Sequence, residues 1–108
     1  MRILITGANG YLGKGLIRSL LAKNFTIFAV VRNLNKKYVE EFSKVNLINL
    51  DLKNKRKLDL KLKNINPEII FHLSAFIPKQ NQKKYYAKSY GDNIQVTRNI
   101  LNYASKIK

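Results

Sequence analysis

Apolar residues fall into short continuous runs, and between the runs they recur every three or four positions. Ile3, Leu4 and Ile5 form the first run, which ends at Thr6. Leu12, Leu16, Ile17, Leu20 and Leu21 then stand at helical spacing, predicting a helix over about residues 11–22 with one buried stripe, closed by Lys23-Asn24. Residues 25–31 are almost wholly apolar and β-branched, the pattern of a strand buried on both faces of a parallel sheet. A polar loop over 32–37 leads to a short helix over 38–42 and a third strand over 45–50. Residues 52–65 alternate as a strand would, but a poorly formed crossover helix suits the order of elements better. Asn66-Pro67 punctuates the chain and residues 68–72 are a fourth strand. Residues 78–84 read as an exposed loop. A last helix over about 85–107 carries Ile94, Ile100, Leu101 and Ala104.

Strands alternating with crossover segments specify a parallel α/β sheet with right-handed connections. The expected architecture is a Rossmann-like doubly wound sheet, its N-terminal half only, with about four strands in the order 3-2-1-4. At 108 residues the chain is one domain, residues 1–108, without internal repeat or linker.

The chemistry concentrates where the first strand meets the first helix. Gly7, Gly10 and Gly13 recur at a spacing of three. Gly7 permits a sharp turn off the strand, Gly10 lets a pyrophosphate approach the main chain, and Gly13 lets the helix pack close to the sheet. The N–H groups and partial positive charge at the helix start are suited to phosphates. Gly15, inside the helix, weakens it by about 1 kcal/mol against Ala.

Charge alters this picture little. Lys and Arg number 21 against 6 acidic residues, a net charge of +15. Abundant Lys, Asn and Ile fit an AT-rich coding sequence, and the lysines are scattered. The densest run, from Lys53 to Lys63, alternates with Leu58, Leu60 and Leu62 as a solvated face would. Nucleic acid is therefore expected to bind only weakly and non-specifically, in a salt-sensitive way. The chain has no cysteine and one histidine, His72, which excludes thiolate and His-rich metal sites. Without a run of about 18 apolar residues or a signal-like start, a cytoplasmic protein with no membrane association is expected.

The motifs resemble those of the extended short-chain dehydrogenase/reductase group, the NAD-dependent epimerase/dehydratase family. Thr6-Gly-Ala-Asn-Gly-Tyr-Leu-Gly13 resembles its Thr-Gly-x-x-Gly-x-x-Gly cofactor loop. Asp51-Leu52 is similar to the pair used beside the adenine ring, and His72-Leu-Ser-Ala75 to the His-x-Ala-Ala segment that lines the cofactor. The segment from Asn93 to Leu101 resembles Asn-Val-x-Gly-Thr-x-Asn-Leu-Leu, with Val96 where the family usually has Gly. The resemblance implies cofactor-binding roles for Gly7, Asn9, Gly10, Tyr11, Leu12 and Gly13, for Asp51 and Leu52, for Leu73, Ser74 and Ala75, and for Asn93. Read without it, Asp51 is a cap for the following segment, His72 a packed or hydrogen-bonded histidine, and Asn93 a surface residue. Tyr85, Tyr86 and Tyr90 read as packing residues.

The family's chemistry needs Tyr-x-x-x-Lys, in which the ammonium lowers the phenol pKa for proton exchange. None of the six tyrosines is followed four residues later by lysine. The expectation is therefore the cofactor-binding part of a longer epimerase, dehydratase or reductase acting on a nucleotide sugar or similar carbonyl or hydroxyl substrate, inactive alone. A non-catalytic dinucleotide module and a basic nucleic-acid-binding protein are the alternatives. NAD sites place an acid after the second strand, but no acidic residue stands between Gly13 and Glu40, and Arg32 occupies that place. NADP is favoured over NAD. The edge of the fourth strand, with Ile69, Ile70 and Phe71 lacking neighbours, is expected to promote self-association.

Overall fold

The computed structural model describes residues 1–74 and 86–107. Its elements are β1 (Arg2–Thr6), α1 (Tyr11–Leu21), β2 (Thr26–Val31), α2 (Lys36–Glu41), β3 (Asn46–Asn49), α3 (Lys55–Leu62), β4 (Ile69–His72) and α4 (Tyr86–Ser105). The strands form one parallel sheet in the order β3-β2-β1-β4, the order that the pattern of runs predicts. Residues 52–65 contain α3 and no strand, so the crossover reading holds. The expected loop over 78–84 and Tyr85 lie outside the described residues.

Alternation along the central strands divides the core in two. Ile3 and Ile5 of β1 join Ile27, Ala29 and Val31 of β2 on one face, covered by Ile17 of α1, by Tyr38 of α2 and by Phe42 at its C-cap. Leu4 and Val30 point to the other face, under Leu58 and Leu62 of α3 and Ile100 and Tyr103 of α4. Burial on both faces is why these strands read as unbroken apolar runs. The edge strands are less apolar: β3 begins and ends on exposed asparagines, Asn46 and Asn49. At the β4 edge only some of the expectation holds. Ile69 is 39% exposed, but Ile70 and Phe71 pack against the two cores, one on each face.

Asparagines set several element boundaries. Asn24 (φ 60°) and Asn66 (φ 46°) take left-handed conformations after α1 and before Pro67, where short polar side chains tolerate that geometry. Asn35 caps α2 by accepting the Tyr38 N–H at 2.7 Å, which starts that helix two residues before the expected position. Asn54 caps α3 through the Lys57 N–H at 3.1 Å. Asp51 is therefore not the cap of α3; its Oδ1 accepts the Lys53 N–H at 3.0 Å in a local turn.

Two side chains depart from the sequence pattern. Leu12, placed in the buried stripe of α1 by spacing, is 67% exposed, because the first turn of that helix lies over the glycine turn and not over the sheet. Tyr90, read as a packing residue, is 70% exposed on the outer face of α4, beside Ile94 and Leu101. The side chains of Tyr85 and Tyr86 lie outside the described residues.

Candidate functional site

β1 delivers the chain into the glycine turn at the carboxyl end of the sheet. Gly7 has φ +63°, and a Cβ there would lie 2.6 Å from the Leu73 carbonyl carbon and 2.7 Å from the Ser74 nitrogen. Gly13 is equally constrained: its Cβ would stand 2.5 Å from the Gly7 oxygen and 2.8 Å from the Ala8 Cα. The close approach at Gly13 is thus between helix and turn, and not directly between helix and sheet. Gly10 differs from both. Its φ of −77° suits any residue, and a Cβ would meet only the Gly7 oxygen, at 3.4 Å. Packing requires glycine at positions 7 and 13 and does not require it at 10.

Gly10 is also the N-cap of α1, where no side chain bonds the helix end and no acid occupies the first turn. The first hydrogen bond back to the cap comes from Lys14, at 2.9 Å, so the amides of Tyr11, Leu12 and Gly13 precede it in the manner of any helix start. The turn is anchored from behind. The Ala8 N–H donates to the Val30 carbonyl at 3.4 Å, and the Tyr38 hydroxyl donates to the Ala8 carbonyl at 2.8 Å. Burial, and secondarily the charge of Glu41, push the Tyr38 phenol up to about 12, so it remains a donor throughout the neutral range.

A cleft of about 480 Å³ opens along this turn. The turn contributes Gly7, Asn9 and Gly10, and the end of β2 contributes Arg32. Asp51 and Leu52 enter after β3, Leu73 and Ser74 after β4, and Asn93 from α4. The other expected site residues are not among the residues lining the cleft, as far as they are described. Tyr11 and Leu12 are exposed at 98% and 67%, and Gly13 is buried behind the turn. Ala75 is outside the described residues.

The cleft also takes in Asn33, Lys53, Lys88, Asp92 and Val96, which sequence reasoning had not singled out as site residues. Lys88 and Asp92 are one helical turn apart, a spacing that marks a shared face but not what that face looks onto. Lys53 and Asp92 stand 3.8 Å apart across the mouth, a partly exposed pair that adds little stability. Val96 packs against the second core while lining the cleft. Asn99 holds that wall in place. It is 2% exposed, and its Nδ2 donates to the Leu52 carbonyl at 2.8 Å and to that of Lys53 at 3.4 Å. His72 is hydrogen-bonded as expected, between Thr6 of β1 and Thr97 of α4.

Main-chain turn, bare helix start and carboxyl-end cleft coincide with a match to known proteins. Residues 3–108 fit the model of the NAD dependent epimerase/dehydratase family. The chain belongs to that family. It is 26% identical to a UDP-glucose 4-epimerase of Dictyostelium discoideum, over 97% of this chain and 33% of that protein. It is 34% identical to a GDP-6-deoxy-D-talose 4-dehydrogenase of Aggregatibacter actinomycetemcomitans, over 94% of this chain and 31% of that protein. Among solved structures, the Bordetella bronchiseptica enzyme WbmG in complex with NAD superposes with a TM-score of 0.82 at 24% identity, covering 99% of this chain and 34% of WbmG. The UDP-Glc/GlcNAc 4-epimerase of Campylobacter jejuni gives 0.86 at 21% identity, covering 98% and 34%. The chain spans about a third of the length of these relatives. Among the described residues no helix is long and apolar enough to cross a membrane, and no cluster of candidate metal ligands occurs.

Proposed function

We propose that this chain is the cofactor-binding part of an epimerase, dehydratase or reductase acting on a nucleotide sugar, and that it binds a nicotinamide dinucleotide, NADP in preference to NAD, in the cytoplasm. The observation that carries the reading is Gly10, a residue without a side chain at a helix start facing the cleft, where packing would admit one. A pyrophosphate lying against the main chain explains that bareness, and the amides and partial positive charge of the α1 start complement its charge. Arg32 supports NADP, because a guanidinium matches a 2′-phosphate in bidentate geometry and no acid competes for the ribose hydroxyls at the end of β2. The bound cofactor would supply hydride exchange at its nicotinamide. The residues of this chain orient it and hold its phosphates, and proton transfer to substrate falls to groups outside this chain. The nucleotide-sugar class rests on the UDP-glucose epimerase and GDP-sugar dehydrogenase to which the chain is similar. Exposed Ile69 on the β4 edge supports a weak tendency to self-associate. Binding of nucleic acid stays non-specific.

Calorimetric titration of NADP and NAD into the wild type, Gly10→Val and Arg32→Ala tests the reading. Gly10→Val is expected to abolish binding while stability falls by no more than about 1 kcal/mol, the difference between good and poor N-caps. Arg32→Ala is expected to weaken NADP roughly ten- to hundredfold, the worth of one charge-assisted contact of about 1.5–3 kcal/mol, and to leave NAD almost unchanged. Undiminished binding by Gly10→Val would overturn the site, and equal loss of both cofactors in Arg32→Ala would overturn the preference.

A further inference from the structure

The groups around Thr6 and His72 fix the protonation of the imidazole by counting donors. Thr6 is fully buried at the last position of β1, and its Oγ1 accepts the Leu73 N–H at 3.0 Å and the Ser74 N–H at 3.3 Å. A hydroxyl has two acceptor sites and one proton. With both sites taken, the Thr6 proton is left for His72 Nδ1, 2.6 Å away. Nδ1 is therefore the bare acceptor nitrogen and Nε2 carries the hydrogen, donated to Thr97 Oγ1 at 3.1 Å. The two amides that Thr6 holds belong to the segment lying against Gly7, where a Cβ would fall 2.6–2.7 Å from Leu73 and Ser74 main-chain atoms.

We propose that His72 is a positioning residue for the dinucleotide site: as the neutral Nε2–H tautomer it joins Thr6 to Thr97 and so holds the Leu73–Ser74 segment against the phosphate-binding turn. The inference rests on the dinucleotide reading of the cleft. A proton added at Nδ1 would point at the Thr6 hydroxyl, whose acceptor sites are filled. The Leu73 N–H also reaches the Thr6 carbonyl oxygen, at 3.3 Å, so either that hydroxyl releases the Ser74 amide or the imidazolium turns away. Both outcomes loosen the cleft wall that Leu73 and Ser74 form. The groups facing the ring are Thr6 from β1 and Thr97 from α4, neither of which titrates near neutrality. On α4, Arg98 is exposed and Asp92 is paired with Lys53. Burial alone moves the imidazole, lowering its proton affinity from the ordinary 6.5.

Neutral His72 favours the binding-competent wall, which sets the sign of the coupling. Affinity is full above 6.5 and declines as pH falls through the lowered pKa, approaching about tenfold per pH unit for one linked proton. By reciprocity, a saturating dinucleotide lowers the His72 pKa by the same factor. NAD suits this measurement, since the 2′-phosphate of NADP titrates near about 6 in its own right.

Because His72 is the sole histidine of the chain, nitrogen-15 correlation spectra report one imidazole without assignment. The whole chain is titrated from pH 8 to 5, alone and saturated with NAD, beside His72→Asn. The expected result is the Nε2–H tautomer, a pKa below 6.5 that falls further with NAD, and a pH-independent NAD affinity in His72→Asn. An Nδ1–H tautomer, or a His72 pKa unmoved by saturating NAD, overturns the inference while the site stands. Absence of saturable binding at every pH overturns the dinucleotide reading and the inference with it. Should His72→Asn fail to fold, the wild-type tautomer and the pKa shift decide alone.

Discussion

Where β1 turns into α1, the cleft wall is main chain; where α4 faces it, the wall is side chains. The first wall is held mainly by close packing of main chain, backed by one side-chain hydrogen bond. Gly13 rests on the Gly7–Ala8 peptide, and Tyr38 hooks the Ala8 carbonyl from behind. The second wall is tied by side-chain hydrogen bonds: Asn99 to the Leu52 and Lys53 carbonyls, His72 to Thr97 and, in the core behind, Tyr103 to the Leu62 carbonyl at 2.9 Å. A wall of packed backbone has one arrangement, because no atom can move without collision. A wall of hydrogen-bonded side chains can open by losing its bonds singly. The glycine-turn end of the cleft is thus the more rigid one, and the α4 side the more adjustable.

Substitutions can break this contrast. The largest effect is expected from Gly13→Val, whose side chain would start 2.5 Å from the Gly7 oxygen with no flexible neighbour to yield. A loss of about 3 kcal/mol or more in urea unfolding is expected, the upper range of overpacking. A loss below about 1 kcal/mol would mean that the turn wall is not rigid.

Asn99→Leu comes next. It keeps the volume roughly constant and leaves the Leu52 carbonyl without its buried donor, for a loss of about 1–3 kcal/mol. The sharper measurement is amide hydrogen exchange: protection should fall along α4 and hold along α1. Equal loss in both helices would erase the distinction between the walls.

Behind each wall lies one buried phenol, which gives a matched pair under alkali. Tyr38 is pushed up to about 12, and burial raises Tyr103 as well, from an ordinary 10.0. A raised folded pKa means that the folded state keeps a proton that the unfolded chain loses. The associated stability is whole below pH 10 and drains away as pH rises through the folded pKa. For Tyr38 the decline approaches about 1.4 kcal/mol per unit between pH 10 and 12. Spectrophotometric titration of Tyr38→Phe and Tyr103→Phe separates the two, and each variant should lose about 1 kcal/mol at neutral pH with its hydrogen bond. If Tyr103 titrates above Tyr38, the α4 side is the less accessible of the two.

The smallest effect has the opposite sign. Gly15 lies on the exposed side of α1, and a Cβ there would have nothing within 4 Å. Gly15→Ala should stabilise by about 0.5–1 kcal/mol and raise the melting temperature, leaving the cleft untouched. A destabilisation would reveal an undetected constraint at the outer face of α1.

Sequence alone determined most of the elements, their parallel order and the glycine turn, because these rest on local rules and on the order of the runs. Short, unbroken, β-branched apolar runs between turn residues fit strands covered on both faces, and alternating helices and strands admit few topologies. A chain passing from strand to helix through Thr6-Gly7-Ala8 needs the left-handed residue that Gly7 supplies at φ +63°. Tertiary structure decided the rest. Leu12 has helical spacing yet faces solvent, since the first turn of α1 rides on the glycine turn. Lys53 meets Asp92, and Asn99 meets Leu52, only because the chain leaving β3 runs against the first half of α4. Spacing marked His72 as a histidine near a strand end. Its tautomer depends on which atoms stand at its two nitrogens, and residues 66 positions before it and 25 after it supply them. Local periodicity extends over a few turns of chain, whereas protonation and wall geometry depend on contacts across the whole sheet, which no window of sequence contains.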